Sequence, residues 1–472
     1  MYRARKENPP AAFLVAAVAE RLANTLYGDV TFVVPDEADR FCVAAARQAC
    51  SSNADGMIFT NDSDLIVFDS GAKTSVVLFN DLVVKHTDLG KGPVMSGIEF
   101  RPGEIMQQHH LKDLLRVAYH MKMDRFTTFT EAVRSATGSS VKRRRGFTEF
   151  AQEYQLDHQQ AVYEHLSGNA VLRKIANGLD ARVSELVQQV KASESTLQPN
   201  GVDMYLPFLL EAPDRAPAWR VGSDWRATAY KALLVAFGNP SVAVKELKRQ
   251  GSRVVGSEVV SPDSSDVNAR RLQAQRWLDT TLVTREPATE LERWRILVME
   301  LTLQDIDYQD TAASISLEDI ATVLTGQRTA DWNIIHSLAR YEAMYYSMRM
   351  FQQIARYVQH IDDVAVKRKA VSEALPGFDG WENAVATLPG IAEFFEPVSE
   401  SIIASATARL TDVFRESATL DRLLSARAKK DKVDMSTLEL ELCEEMLKDD
   451  SSEEEGQNAS LASNPFAALA RQ

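Results

Sequence analysis

Two short β-branched runs set the strongest limit on how this chain can fold. DVTFVVP spans 29–35 and GMIFT spans 56–60, with the stretch DEADRFCVAAARQAC between them. Each run is closed by turn formers, Pro35 on the first and Asn61-Asp62 on the second, as short buried strands commonly are. In the connecting stretch Ala38, Phe41, Cys42 and Ala45 recur at helical spacing. Strand, helix and strand so close together predict a βαβ unit, whose parallel strands need a right-handed crossover. An amphipathic helix over 10–26 precedes the unit and stops at Gly28. SVVLFNDLVVK at 75–85 adds strand or hairpin material that turns near Asn80-Asp81.

Beyond residue 103 or so the pattern turns helical. LKDLLRVAYHMKM at 111–123 and FTEAVRSA at 129–136 each predict a helix, and 148–195 is helical again. The segment 195–228, rich in Pro, Gly and Trp, reads as a packed irregular connection. The longest later helix candidate is LARYEAMYYSMRMFQQIARYVQHI at 338–361, whose aromatic stripe Tyr341, Tyr345, Tyr346 and Phe351 reads as packing core. The expected fold class is therefore α/β followed by a mainly α-helical region.

Bulk composition excludes several classes. With 472 residues, 45% of them hydrophobic, the chain can bury more than one core. No apolar run is long enough for a membrane span. AAFLVAAVAE at 11–20 contains a Glu and lacks a cleavage site, so it reads as a helix and not as a signal peptide. Three cysteines, Cys42, Cys50 and Cys443, show no CxxC spacing, which argues against a disulfide framework or a zinc site. A reducing compartment, nucleus or cytosol, is the expected location. The net charge of −13 argues against a general nucleic-acid coat. Any nucleic-acid contact must come from a local basic patch, or from metal ions that bridge acidic side chains to phosphate.

Two acidic pairs carry the chemistry. Glu37 and Asp39 open the helix after the first run, and Asp62 and Asp64 follow the second at once in TNDSD. In a parallel unit both pairs fall at the carboxyl ends of neighbouring strands, where open α/β sheets place ligands. Carboxylates crowded there repel one another, and at about 4 Å with an effective dielectric near 20 each pair costs on the order of 4 kcal/mol before screening. A hard divalent cation, Mg²⁺ or Mn²⁺, relieves that repulsion, and two such ions are a common device for phosphodiester cleavage. One ion would activate water and the other would stabilise the leaving oxygen, with Glu37 and Asp39 holding one ion and Asp62 and Asp64 the other. The same acids also suit any helix start, so Asp36 or Asp62 can be an N-cap and nothing more.

PDEADRFCVAAA resembles the internal motif of the XPG/flap-endonuclease (PIN-like) family, an E-A-E/D step leading into an alanine-rich helix. GMIFTNDSDLIVFDSG is similar to the element that follows it there, T-x-D-S-D-x-x-x-F. YLPFLLEAPDRAPAWRVGSDWRATAY at 205–230 and VKELKRQGSRVV at 244–255 resemble the asteroid subgroup. The likeness covers about residues 10–260. It implies an incomplete PIN-like nuclease sheet, with Glu37, Asp39, Asp62 and Asp64 at metal-site positions and Mg²⁺ or Mn²⁺ as cofactor. The family opens with a strand bearing a metal-site Asp and has a second Asp further on. This chain starts after both, so the resemblance reads it as N-terminally truncated. The family's later Gly-Asp-Tyr-like step corresponds here to RVAYHMKMDRF, where only Asp124 is near, either as a metal ligand or as a helix-end surface residue.

The implied function is a metal-dependent, structure-specific DNA endonuclease of the asteroid/XPG type acting on branched or single-stranded DNA. The alternative is an inactive nuclease-like scaffold for nucleic acid or protein. The organisation expected is a partial nuclease domain over 1–135, a basic junction with helices over 136–200, and an asteroid-type region over 201–290. A helical domain over 291–435 and an acidic disordered tail over 436–472 complete it. Lys142, Arg143, Arg144 and Arg145 form a basic cluster, a phosphate contact or part of a nuclear-import signal. Arg220 and Arg226 beside Trp219 and Trp225 suit either a stacking surface or a Trp-rich core, with the core preferred. His109 and His110 have no ligand partners at metal spacing. The tail, with NPFAAL at 464–469, offers a segment for protein partners.

Overall fold

A computed structural model describes residues 12–35, 37–85, 94–124, 126–137, 146–168, 170–195, 201–250, 253–259, 289–309, 319, 322–324, 329–360 and 364–396. The Lys142–Arg145 cluster and the acidic tail lie outside the described residues. The chain divides into two compact units, residues 37–173 in one and residues 12–35 with 174–396 in the other. The first helix, α1 (Leu14–Ala23), belongs to the second of these.

The unit over 37–173 is built on a small sheet. Helix α2 (Ala38–Ser51) leads to β1 (Gly56–Thr60), whose bounds are those its apolar run predicts. A short 3-10 turn over Ser63–Ile66 then returns the chain to β2 (Thr74–Leu78). β1 and β2 are parallel, with Gly56 opposite Thr74 and Thr60 opposite Leu78. The 75–85 run does not fold back on itself. It breaks at a 3-10 turn over Phe79–Asp81, and β3 (Val83–Lys85) pairs with β4 (Val94–Ser96) in a separate ribbon. β5 (Glu99–Phe100) closes the sheet order β1-β2-β5 from the antiparallel side.

Helices cover this sheet. α3 (Pro102–Gln108) starts at a proline, α4 runs Leu115–Met123, and α5 runs Phe129–Ala136. α4 starts four residues later than predicted, because the Asp113 carboxylate accepts the Arg116 N–H at 3.2 Å and fixes the turn before it. α5 begins with a full capping box, in which Thr128 and Glu131 satisfy each other's backbone N–H. α6 (Phe147–Gln152) and α7 (Asp157–Gly168) complete the unit. Val43 of α2, Val76 of β2 and Val117 of α4 have no exposed surface in a core shared with Ile58, Leu65 and Phe150. Burying each such side chain is worth about 1.5–3 kcal/mol.

The other unit is mainly helical. α8 (Ala170–Asn177) crosses the division after residue 173, and α9 (Ala181–Ser195) precedes β6 (Val202–Tyr205). α10 (Ser223–Ala236) follows, then the strands β7 (Val244–Gln250) and β8 (Arg253–Glu258). β6 lies parallel to β7, and β7 antiparallel to β8. The stretch 195–228 is thus more regular than expected, since it holds β6 and the start of α10. Four further helices, α11 (Glu290–Gln309), α12 (Trp332–Val358), α13 (Val364–Ala374) and α14 (Phe378–Val385), lead to the short α15 (Ile391–Phe394). α12 is buried on nearly every face from Ala339 to Val358, as a central core helix must be. Its expected aromatic stripe is core, with Tyr346 stacked on Phe13 at 4.9 Å and Tyr345 on Phe394 at 4.0 Å.

The strand expected at 29–35 does not form. Thr31–Val34 is extended, but the side-chain amide of Asn177 takes its hydrogen bonds in place of a neighbouring strand. Asn177 Nδ2 donates to the Thr31 carbonyl at 2.7 Å, and the Val33 N–H donates to Asn177 Oδ1 at 2.9 Å. The parallel partner of β1 is therefore β2, and the βαβ unit expected over 29–60 is absent.

Arg226 and Trp219 also belong to the core. Arg226 has no exposed surface, and its guanidinium meets Glu246 through two bonds, at 2.5 and 3.1 Å. Its remaining donors go to the Trp219 and Val221 carbonyls and to Ser347 Oγ. Among the described residues no helix is long and apolar enough to cross a membrane.

Candidate active site

The carboxyl end of β1 gathers the acids. Glu37 occupies the N-cap position of α2 but makes no side-chain cap, and its carboxylate lies 3.7 Å from Arg40. Asp39, two residues further on in the first turn of α2, is partly buried. Past the end of β1 the Asp62 N–H donates to Thr60 Oγ1, and Asp62 Oδ1 accepts the Asp64 N–H, each at 2.9 Å. That turn aims Asp62 and Asp64 to the same end of the sheet. A further clamp holds it, since the Asn80 N–H donates to Asn61 Oδ1 at 3.0 Å and ties the ends of β1 and β2 together.

The electrostatics show what this arrangement brings together. Burial, then the charge of Asp62, then that of Glu37, push the Asp39 carboxyl above the usual carboxylate range, and its side chain hydrogen-bonds that of Asp62. Asp64 is pushed up by burial and by Asp62, against a downward pull from Lys122. The contact pair is therefore Asp39 with Asp62, one residue from each acidic motif, with Glu37 and Asp64 beside them. A hard divalent cation has the charge to relieve the repulsion that helps push Asp39 and Asp64 up, and oxygen is the ligand such a cation takes. The donor set therefore fits Mg²⁺ or Mn²⁺. Among the described residues no three His, Cys, Asp or Glu side chains stand close enough to form an ion shell by themselves.

Asp124 caps the end of α4, where Oδ1 accepts the Phe126 N–H and Oδ2 the Thr127 hydroxyl, both at 3.0 Å. It is not among the leading charges on Asp39 or Asp64. His109 packs its ring edge-on against Phe129, with centroids 5.5 Å apart.

Three residues that motif reading does not find complete the surroundings. Lys122, near the end of α4, acts on Asp64 and pairs with Glu153 at 3.1 Å. Its ammonium also lies 4.9 Å from the Phe150 ring. Tyr154 packs between Phe68 and Phe150, at 4.7 and 5.1 Å. Burial and then the charges of Asp64 and Glu153 hold its phenol firmly protonated. All three depend on α4 and the end of α6 reaching the turn after β1, which no local spacing announces.

A family model described as XPG domain containing matches residues 10–260. The chain belongs to this XPG-domain family. The match takes in both acidic motifs and the sheet that carries them. Membership brings a nuclease-type fold and nucleic acid as the class of partner, and domains of this type generally use divalent metals. No curated protein and no solved structure matches the chain.

Proposed function

We propose that this XPG-domain chain is a divalent-metal-dependent DNA endonuclease of the asteroid type, acting on branched or single-stranded DNA in the nucleus. The observation that carries the reading is the contact between Asp39 and Asp62 at the carboxyl end of a parallel strand. Asp39 and Asp62 would hold Mg²⁺ or Mn²⁺, with Glu37 and Asp64 as flanking ligands. When bound, such an ion polarises a phosphoryl oxygen and lowers the pKa of a water. The protein's own share is positional. Asp62 fixes the turn that aims Asp64, Lys122 brings a positive charge to the phosphate side, and Tyr154 keeps a protonated phenol near Asp64.

A second reading, a nuclease-like scaffold that binds nucleic acid or protein partners, draws support from the lack of a three-residue ion shell among the described residues. Cleavage of labelled flap, single-stranded and hairpin DNA in Mg²⁺ or Mn²⁺ separates the two. The endonuclease reading expects metal-dependent cutting that the Asp62→Ala, Asp64→Ala double variant loses by about 100-fold or more. Absence of cutting by the well-folded wild type, with DNA binding equal in the variant, leaves the scaffold.

A further inference from the structure

The carboxylate group leaves one neighbouring feature unexplained. Phe59 of β1 and Phe79, the first residue after β2, are 44% and 52% exposed. Their rings stack on each other with centroids 6.2 Å apart and planes 29° from parallel. The alternation of β1 accounts for the exposure. Ile58 points into the core with Val43 and Ala46, so Met57 and Phe59 take the opposite face. The parallel register sets Phe59 against Val77 and Thr60 against Leu78, which brings Phe79 to the same end of the sheet. The Asn80–Asn61 bond then locks the two strand ends that carry the rings.

This end of the sheet is also the one that carries Asp62, three residues after Phe59. At about 3.3 Å per residue the two backbones are at most ~10 Å apart, a span that adjoining nucleotides bridge. The stacked rings, with Met57 on the same face of β1 53% exposed, keep a contiguous apolar surface in water that a planar partner would cover. A flat, sequence-tolerant π surface next to the carboxylate group matches an unpaired nucleobase, whose phosphate Lys122 and a cation on those acids would attract. A base inside a duplex has no free face to offer.

We propose that Phe59 and Phe79 form a stacking platform for an unpaired base of the nucleic-acid strand on which the carboxylate group acts. The inference rests on the nuclease reading and names the residues that would contact an unpaired base. The test uses the full chain and a labelled single-stranded oligonucleotide, with a blunt duplex of the same sequence as control. The Phe59→Leu, Phe79→Leu double variant keeps the apolar volume and removes both rings. Its single-strand affinity should fall by about 5-fold to 100-fold, with duplex affinity little changed. A 2-aminopurine base in the oligonucleotide should be quenched by the wild type and not by the variant. If the double variant fails to fold, Phe79→Leu alone, in a turn and not in a strand, takes its place.

Equal loss for single strand and duplex, or unchanged affinity and quenching in a folded variant, overturns the platform. So does a variant that loses self-association in sedimentation while keeping its oligonucleotide affinity, because the face is then a protein contact. Quenching by the wild type without any cleavage leaves the platform standing and removes the nuclease reading. Cleavage with quenching untouched in the variant does the reverse.

Discussion

Replacing Asp62 by Asn tests the charge logic of the site with two opposite signs. Asp62 is a leading like charge on both Asp39 and Asp64. Asn keeps the side-chain oxygen that accepts the Asp64 N–H, so the turn survives while the charge goes. Bare Coulomb repulsion at ~4 Å with an effective dielectric near 20 is about 4 kcal/mol. Solvent reaches these side chains and screens most of that, which leaves about 1 kcal/mol or less. For a unit of this size that corresponds to a rise of roughly 2–4 °C in Tm without metal.

The pH dependence follows from the raised carboxyls. An acid whose folded pKa lies above its unfolded value destabilises the fold once it ionises. Stability therefore falls as pH climbs from the ordinary Asp value of 3.8 through the raised one, and the loss is complete above it. The gain from Asp62→Asn should be full near pH 8 and vanish near pH 4. Added Mn²⁺ must act the other way. Ion at about 100 times its Kd stabilises wild type by ~2.7 kcal/mol, and the variant should lose most of that shift. Differential scanning fluorimetry at both pH values, with and without Mn²⁺, reads all four quantities. A variant that is less stable than wild type at pH 8 without metal, or one with an undiminished Mn²⁺ shift, refutes the reasoning.

Three further outcomes are expected. Lys122→Met removes the cation beside Asp64, so single-strand affinity should drop and its salt dependence should flatten by about one phosphate contact, read by anisotropy across a salt series. Glu342 on α12 has its carboxyl pushed up to about 8 by burial, so the wild type should lose stability as pH rises from about 4.5 to that value. Glu342→Gln should remove this slope, and urea melts at pH 5 and pH 9 should show its advantage growing with pH. Burial alone would raise the Glu246 carboxyl, and Arg226 against it holds it below its usual range. Glu246→Gln strands that buried guanidinium, at a cost of about 3–5 kcal/mol by chemical denaturation.

Local signals made some of this architecture legible. GMIFT is a continuous apolar run between Gly56 and Asn61, and β1 occupies it end to end. Thr128 and Glu131 stand three residues apart, and their capping box fixes where α5 begins. The two acidic motifs likewise disclose themselves through short spacings. What stayed hidden depends on distant partners. DVTFVVP has every property of a strand, yet its hydrogen bonds go to a side chain 144 residues away. The run VKELKRQ is too polar to read as a strand, and becomes one because β6 and β8 flank it. Pairing within each acidic motif was the natural assumption. The turn after β1 instead brings Asp62 against Asp39, a contact that only the packed unit specifies.

Asn177 is followed by Gly178, the neighbour that least hinders a backbone nitrogen from attacking the asparagine side chain. In the fold that nitrogen is engaged, since the Gly178 N–H donates to the Lys174 and Ile175 carbonyls. Both ends of the Asn177 amide are engaged as well, on Thr31 and Val33. The same bonds that anchor the extended segment therefore protect the peptide from spontaneous deamidation. Once the segment peels away, the chemistry is free to run, and the carboxylate it leaves would repel the Thr31 carbonyl and prevent redocking. Each opening thus carries a chance of permanent damage, and the modified fraction in an aged preparation records how often the segment has come loose.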